Sequence, residues 1–330
     1  MTGPVRIGTL GAARITPNAL TKPARIVDDA VVTAVAARDV DRARAFANKH
    51  GIERVHGSYD DIINDPDVDA IYNPLPNSHH GPWTLKAIAA GKHVLCEKPF
   101  TSNAAEAEQV KAAADAAPNL VVMEAFHYRY HATVARMLEL IADGAVGRVQ
   151  HIRTAMCFPL PSRKDIRWQL ALAGGSLMDA GCYAVHLLRT LGGSEPTVVS
   201  ARAKERSPGV DRWMQAEFRF DSGATGRITT GMLSARIVDV SARVVGDKGE
   251  IRVLNPFAPQ VFSRFKVNGR REKIGGEGTY TCQLRAFTGA VLRNEPILTP
   301  PSTAVANMRV IDDIYAAAGM QPRPALPSAG

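Results

Sequence analysis

Along the first third of the chain, short apolar runs alternate with stretches whose apolar residues recur every three or four positions. The runs are "VRIGTL" (5–10), "AVVTAVAAR" (30–38), "DAIYNPL" (69–75), "KHVLCEK" (92–98) and "NLVVMEAF" (119–126). Their length and their Gly, Pro and Asn flanks predict buried strands. Between them, "DVDRARAFANKHG" (39–51), "HHGPWTLKAIAAGK" (79–92) and "NAAEAEQVKAAADAA" (103–117) predict helices, the first stopped by Gly51. Strands separated by single helices predict an α/β fold with a doubly wound parallel sheet and right-handed crossovers.

Beyond about residue 125 the pattern changes. Residues 148–158, 197–206, 212–220, 224–233, 237–246, 249–255 and 260–268 all read as strands. Turns such as Asp221-Ser222-Gly223 join some of them directly, which predicts a large, mainly antiparallel sheet with one open face. One helix interrupts the series at about 175–191, two more are predicted near 279–293 and 302–318, and "QPRPALPSAG" (321–330) reads as a loose tail. The expected division is a dinucleotide-binding domain over 1–125 and an α+β substrate-binding and oligomerisation domain over 126–330.

Composition narrows the class. At 330 residues the chain exceeds one ordinary core, and 45% apolar with 22% charged residues is globular usage. Formal charge is 40 − 32 = +8, but Lys and Arg are scattered, so a solvated basic surface is expected rather than a nucleic-acid patch. The four cysteines, Cys96, Cys157, Cys182 and Cys282, form no C-x-x-C pair. That argues against a structural zinc site or a disulfide framework, and no metal is expected; the pattern fits a reducing cytoplasm. No signal-like segment opens the chain and no apolar stretch is long enough to span a membrane.

The first strand runs into "GTLGAARIT" (8–16). A strand followed by a glycine turn and a helix N-terminus suits pyrophosphate, although only Gly11 of the three usual small positions is glycine; Ala13 and Thr16 hold the others. Ala12, Arg14 and Ile15 complete this turn. At the end of the second strand Arg38 precedes Asp39, and Arg42 lies one turn on. Guanidinium groups here suit the 2′-phosphate of NADP, with NAD the alternative; the bland reading makes Arg38 a surface residue and Asp39 a helix cap.

"LGAARI", "YNPLPNSHH", "AGKHVLCEKPF" and "GGSLMDAGCYAVHLL" occur in an order and spacing that resembles the Gfo/Idh/MocA oxidoreductases. The resemblance covers nearly the whole chain and is nearest the NADP-dependent branch of dihydrodiol and D-xylose dehydrogenases. It implies a Rossmann domain, the open-faced sheet domain, and a homodimer or homotetramer in which that face is covered. It also implies Lys98 beside nicotinamide and substrate, with Asp179 and Tyr183 completing the site, and nucleotide contacts from Pro74, Leu75, Asn77, His80, Glu97 and Lys98. Without the resemblance, Lys98-Pro99 reads as an exposed lysine before a helix-opening proline.

Asp179, Tyr183 and His186 are spaced to share one helix face, with His186 the more structural of the three. Arg129 lies where it either lines the cleft or braces the domains; the resemblance implies that the loop holding Arg167 approaches the substrate, with Trp168 a candidate sugar-stacking face. A free phenol titrates near ~10, so Lys98 is expected to lower the pKa of Tyr183 and make it a usable acid–base group. The predicted activity is hydride transfer between nicotinamide and a carbinol or carbonyl carbon of a sugar or cyclic diol. A sugar-nucleotide 3-ketoreductase and a non-catalytic nucleotide sensor on the same fold are the alternatives.

Overall fold

The computed structural model describes residues 3–233 and 238–326. The predicted strand start at Ile237 and residues 327–330 of the tail lie outside them.

The first sheet is parallel, built from β1 (Val5–Leu10), β2 (Ala30–Ala36), β3 (Arg54–His56), β4 (Ala70–Asn73), β5 (His93–Cys96) and β6 (Val122–Glu124) in the order 3-2-1-4-5-6. This is the Rossmann order. The central strands are buried on both faces, which explains their unbroken apolar runs. The helices between strands are α1 (Val40–His50), α2 (Tyr59–Ile63), α3 (His80–Ala89) and α4 (Ala104–Asp115). Their starts follow from side chains in sequence: Asp39 caps α1, Ser58 caps α2 and Asn103 caps α4. β3, only "RVH", carries no periodicity and escapes the sequence reading.

No α-helix follows β1. A five-residue π-turn, Pro17–Thr21, and a 3₁₀ turn, Pro23–Arg25, stand there instead. The space on this face of the sheet is filled from the far end of the chain, where Leu284 and Phe287 pack with Val5, Ile7, Leu20, Tyr72 and Leu95.

The second half holds α5 (Ala132–Ala142), β7 (Val149–Cys157), α6 (Cys182–Gly192), and strands β8 (Thr197–Ser207), β9 (Val210–Arg219), β10 (Thr225–Gly231), β11 (Asp239–Gly246), β12 (Glu250–Leu254), β13 (Arg264–Val267) and β14 (Arg270–Glu272). Two closing helices follow, α7 (Thr279–Arg293) and α8 (Pro301–Ala317). The sheet order is 14-13-12-11-7-10-9-8, antiparallel except for β7 beside β10. The strand expected over 260–268 is only its last part, and β14 adds to it as a short hairpin.

One face of this sheet packs under α6 through Ile152, Met214, Ala216, Phe218, Ile228, Val244, Ile251 and Val253. The other face is mixed: Trp213, Val245 and Leu254 stand on it among charged side chains. Directly paired positions run Glu217, Arg227, Arg153, Arg243, Arg252, Lys266, Arg271 across seven strands. Arg227 pairs with Glu217 at 2.6 Å, Arg153 with Asp239 at 3.4 Å, and Arg252 with Glu250 at 2.5 Å. The alternation of the strands puts the valines of "SARVVG" on both faces, and Val244 belongs to the core.

Candidate active site

Gly11 ends β1 with φ +85°, a conformation that favours glycine, and its N–H donates to Ala36 O at 2.6 Å. An added Cβ there would lie 3.4 Å from Leu75 Cδ2, so the turn and the Pro74–Asn77 loop face each other closely. Asp39 accepts the N–H groups of Asp41 and Arg42 and is committed as a helix cap. Arg38 and Arg42 are exposed at the same strand end, and Arg42 Nη2 reaches over the turn to Ala12 O at 3.3 Å. Thr9 and Thr16 carry buried hydroxyls with no partner near this turn. A glycine cradle beside two exposed guanidinium groups fits a phosphorylated dinucleotide. Ala13, Arg14 and Ile15 lie along the turn.

The next strands bring the chemical groups. β5 ends at Cys96, and Glu97-Lys98-Pro99 turns out of it through a cis Lys98–Pro99 bond. Glu124, at the end of β6, accepts the Phe100 N–H at 2.9 Å and closes this turn from below. Lys98 Nζ donates to Asp179 O at 3.1 Å, lies 4.0 Å from Asp179 Oδ1, and sits over the Tyr183 ring at 4.8 Å from its centroid. Burial opposes the lysine charge, but Asp179 and Glu97 outweigh it, so the pKa of Lys98 stands above the ordinary value. Arg167 Nε lies 3.3 Å from Asp179 Oδ1, so one carboxylate faces two cations.

Asp179 and Tyr183 do not lie on one regular α-helix. Asp179 belongs to a π-turn, Leu177–Gly181, and Tyr183 to the first turn of α6. Such turns are frequent at functional sites because the extra residue re-aims side chains. No hydrogen bond joins the Tyr183 hydroxyl to Lys98; its partner is His127 Nε2, at 3.1 Å. The expected lowering of the Tyr183 pKa is also absent: burial, then neighbouring Tyr280 and Glu97, hold it well above the ordinary phenol value. His127 itself is pushed down to about 3 by burial and by Lys98.

Several expected contacts are corrected by packing. His80 is buried, with Nδ1 2.6 Å from Pro99 O and Nε2 2.7 Å from Leu75 O. It braces the loop against the Lys98–Pro99 turn and has no nitrogen left for a cofactor. Burial lowers its pKa to about 4 against the pull of the two carbonyls. The Glu97 carboxylate accepts Tyr72 Oη at 2.8 Å and is likewise buried. Asn77 donates to Ala173 O at 3.1 Å, tying the nucleotide loop to the segment ahead of Asp179. Trp168 is only 7% exposed, donates Nε1–H to Ser162 O, packs with Val210 and Met232, and has Arg206 over its ring at 4.5 Å. It is a small core of its own, not an open stacking face. No hydrogen bond or ion pair among the described residues joins Arg129 to Lys98, Asp179 or Tyr183; its neighbour His127 makes that approach. His186 is buried and bonds Tyr128 Oη at 2.6 Å, as a structural residue does.

Within residues 321–326 of the expected loose tail, one side chain is anchored. Arg323 is 1% exposed; its Nη2 pairs with Asp211 Oδ1 at 2.7 Å and its Nε donates to Gly174 O at 2.6 Å. Asp211 also accepts Tyr315 Oη at 2.9 Å and Leu177 N at 2.7 Å. Gly175, at φ +134°, leaves the space this pair needs: a Cβ would lie 2.3 Å from Asp211 Oδ1. The segment leading into Asp179 is therefore held by Asn77, Asp211 and Arg323 together. In the sequence, Arg323 sits among prolines and nothing marks it.

A Rossmann sheet whose strand ends present a glycine turn, two guanidinium groups and a lysine–carboxylate–phenol cluster defines a dinucleotide-dependent oxidoreductase. A profile described as the oxidoreductase family, NAD-binding Rossmann fold, matches residues 5–125, and the GFO/IDH/MocA C-terminal domain matches residues 134–252. The chain belongs to the Gfo/Idh/MocA oxidoreductase family. It is similar to D-xylose 1-dehydrogenase (NADP(+)) 2 of Haloferax volcanii, 34% identical over 94% of this chain and 96% of that protein. Trans-1,2-dihydrobenzene-1,2-diol dehydrogenase of Mus musculus is 34% identical over 74% of this chain and 71% of its own. The aldose-aldose oxidoreductase structure from Caulobacter crescentus superposes with a TM-score of 0.88, at 27% identity, over 96% of this chain and 98% of that one.

Proposed function

We propose that this chain transfers a hydride between NADP and a carbinol or carbonyl carbon of a sugar or cyclic diol. The observation that carries the reading is the gathering of Lys98, Asp179, Arg167 and Tyr183 at the carboxyl end of β5, where open α/β sheets bind ligands. The names of the xylose and dihydrodiol relatives support the substrate class and the phosphorylated cofactor.

Arg38 and Arg42 hold the 2′-phosphate by charge, and Gly11 lets the backbone of the turn approach the pyrophosphate. The nicotinamide, when bound, supplies the hydride chemistry. Tyr183 exchanges the hydroxyl proton with the substrate oxygen. Lys98, held charged by Asp179, stabilises negative charge on that oxygen. Asp179, fixed between Lys98 and Arg167, orients the hydroxyl.

No disulfide joins the four cysteines, and Cys96, Cys157 and Cys182 are buried; this suits a reducing compartment, and we place the protein in the cytoplasm. Self-association through the outer face of the second sheet would set the row of Arg227, Arg153, Arg243, Arg252, Lys266 and Arg271 against a copy of itself, so it should strengthen as salt shortens the Debye length from ~10 Å to ~3 Å and screens the repulsion.

The test is NADP⁺ reduction, followed at the nicotinamide absorbance, across aldoses, polyols and cyclic diols with wild type and Tyr183→Phe in parallel. A substrate turned over by wild type and lost in the variant supports the reading. NADP⁺ that binds without reduction by any panel member, at any pH, favours a sensor.

A further inference from the structure

Lys98 does not direct the Tyr183 hydroxyl, because its ammonium lies over the ring face and donates to Asp179 O. The group at hydrogen-bond distance is His127 Nε2. His127 is 5% exposed and its ring lies against Tyr280 with centroids 4.0 Å apart. Its other nitrogen, Nδ1, is 2.8 Å from Thr279 Oγ1, and that hydroxyl accepts from Gln260 Nε2 at 3.2 Å. Both edges of the imidazole are thus spoken for, one by the phenol and one by a hydroxyl at the start of α7.

Thr279 Oγ1 has one hydrogen and two lone pairs. Gln260 occupies one lone pair, which leaves the hydroxyl hydrogen available to His127 Nδ1. In that arrangement the single proton of a neutral imidazole sits on Nε2 and points at Tyr183 Oη. We propose that His127 is a positioning residue for Tyr183: a neutral donor that occupies one lone pair of the phenol oxygen, turns the phenolic hydrogen away from itself and toward the substrate oxygen, and stabilises the phenolate formed when that hydrogen leaves. In reduction the Tyr183 O–H bond breaks as the substrate O–H bond forms; oxidation runs the same transfer in reverse. His127 gains and loses no proton in either direction.

The low basicity of the buried ring keeps it a donor rather than a relay. Around the phenol the other titratable groups are Lys98 and Glu97 from the end of β5, Tyr128 from the turn after β6, Tyr280 from α7, and Asp179 and Cys182 from its own segment. Substitutions at 127 leave all of them in place. The inference rests on the reading of Tyr183 as the proton-transfer group, and the experiments separate the two.

The first experiment needs no substrate. Long-range ¹H–¹⁵N correlation on histidine-labelled protein with NADP⁺, assigned by the signals lost in His127→Gln, reads the tautomer. An Nε2-protonated neutral ring, constant from pH 5 to 9 and shifted at Nε2 by Tyr183→Phe, is expected. An Nδ1-protonated ring, or one that titrates in this range, overturns the proposal. The second is kinetic. His127→Phe keeps an aromatic ring and removes the donor; kcat at pH 7 should fall about tenfold to a hundredfold, and the pH limb should move up by roughly one unit. KM for NADP should not change, and His127→Gln, which retains an N–H, should restore most of the loss. An unchanged limb, or an equal loss at every pH, overturns the inference. If Tyr183→Phe keeps full turnover, the parent reading falls and this one with it. If Tyr183→Phe is dead and His127→Phe is unaltered, only the role of His127 falls.

Discussion

At the scale of single residues, the hydroxyl of Tyr183 is the atom on which turnover should hinge. Tyr183→Phe removes it and keeps a ring that packs against Phe126, Tyr128 and Phe257. Folding and NADP binding should survive, while turnover falls by ~10²–10⁴-fold, the usual contribution of a positioned acid–base group. Steady-state kinetics with a nucleotide titration check both halves. Lys98→Met should be as damaging and the double variant little worse, since groups acting as a unit are not additive. The buried histidines carry a second expectation. His80 and His127 have folded pKa values of about 4 and about 3, below the unfolded value. Their stability contribution is complete above ~6.5 and is lost as pH falls toward those values, at about 1.4 kcal/mol per pH unit for each ring. Urea unfolding from pH 7 to 4 should show it, and His127→Gln should reduce the slope. Lys98, Asp179 and Tyr183 were legible because each lies in a short, dense motif. His127 was not, because its partner Thr279 is 152 residues away and its own neighbourhood, "HYRYH", reads as a strand end running into polar residues.

At the scale of elements, the proposed choice of NADP over NAD is made at the end of β2. Asp39 is spent on capping α1, which leaves Arg38 and Arg42 as the groups free to meet a ribose substituent. Arg38→Ala should therefore lose about tenfold to a hundredfold in NADP affinity, the worth of one charge-assisted fork. NAD affinity should stay near its starting value. Calorimetric titration with both nucleotides measures this, and equal loss for both would return Arg38 to the surface. Helices α2, five residues behind Ser58, and α5, behind His131, escaped the sequence reading; element type was readable at the buried central strands and at α1 and α4, where a capping side chain opens a long helical pattern. It was not readable at Leu177–Gly181, where the periodicity of "LMDAGCYAV" is helical yet the backbone widens by one residue. Nor could sequence decide the faces of the second sheet, since alternation names two faces without saying which one a helix covers.

For the whole molecule, the tie between Arg323 and Asp211 joins the last described segment to β9 and to the approach to Asp179. Both side chains are almost fully buried. Removing one partner from such a pair strands a charge and typically costs about 3–5 kcal/mol, whereas replacing both with well-fitting neutral groups is far milder. Arg323→Met should thus lower the urea midpoint sharply and reduce turnover, and Asp211→Asn with Arg323→Met should recover part of the stability. A variant that loses neither would show that the tail is dispensable.

The first sheet borrows Leu284 and Phe287 to cover one of its faces. On the ribosome its six strands emerge first, and those two side chains emerge only after every strand of the second sheet. Domains usually complete themselves in order of synthesis. Here the half made first is finished last, so a nascent chain stalled before residue 279 should show NADP no settled site, and the apolar face left bare in the interval is where a chaperone would hold it.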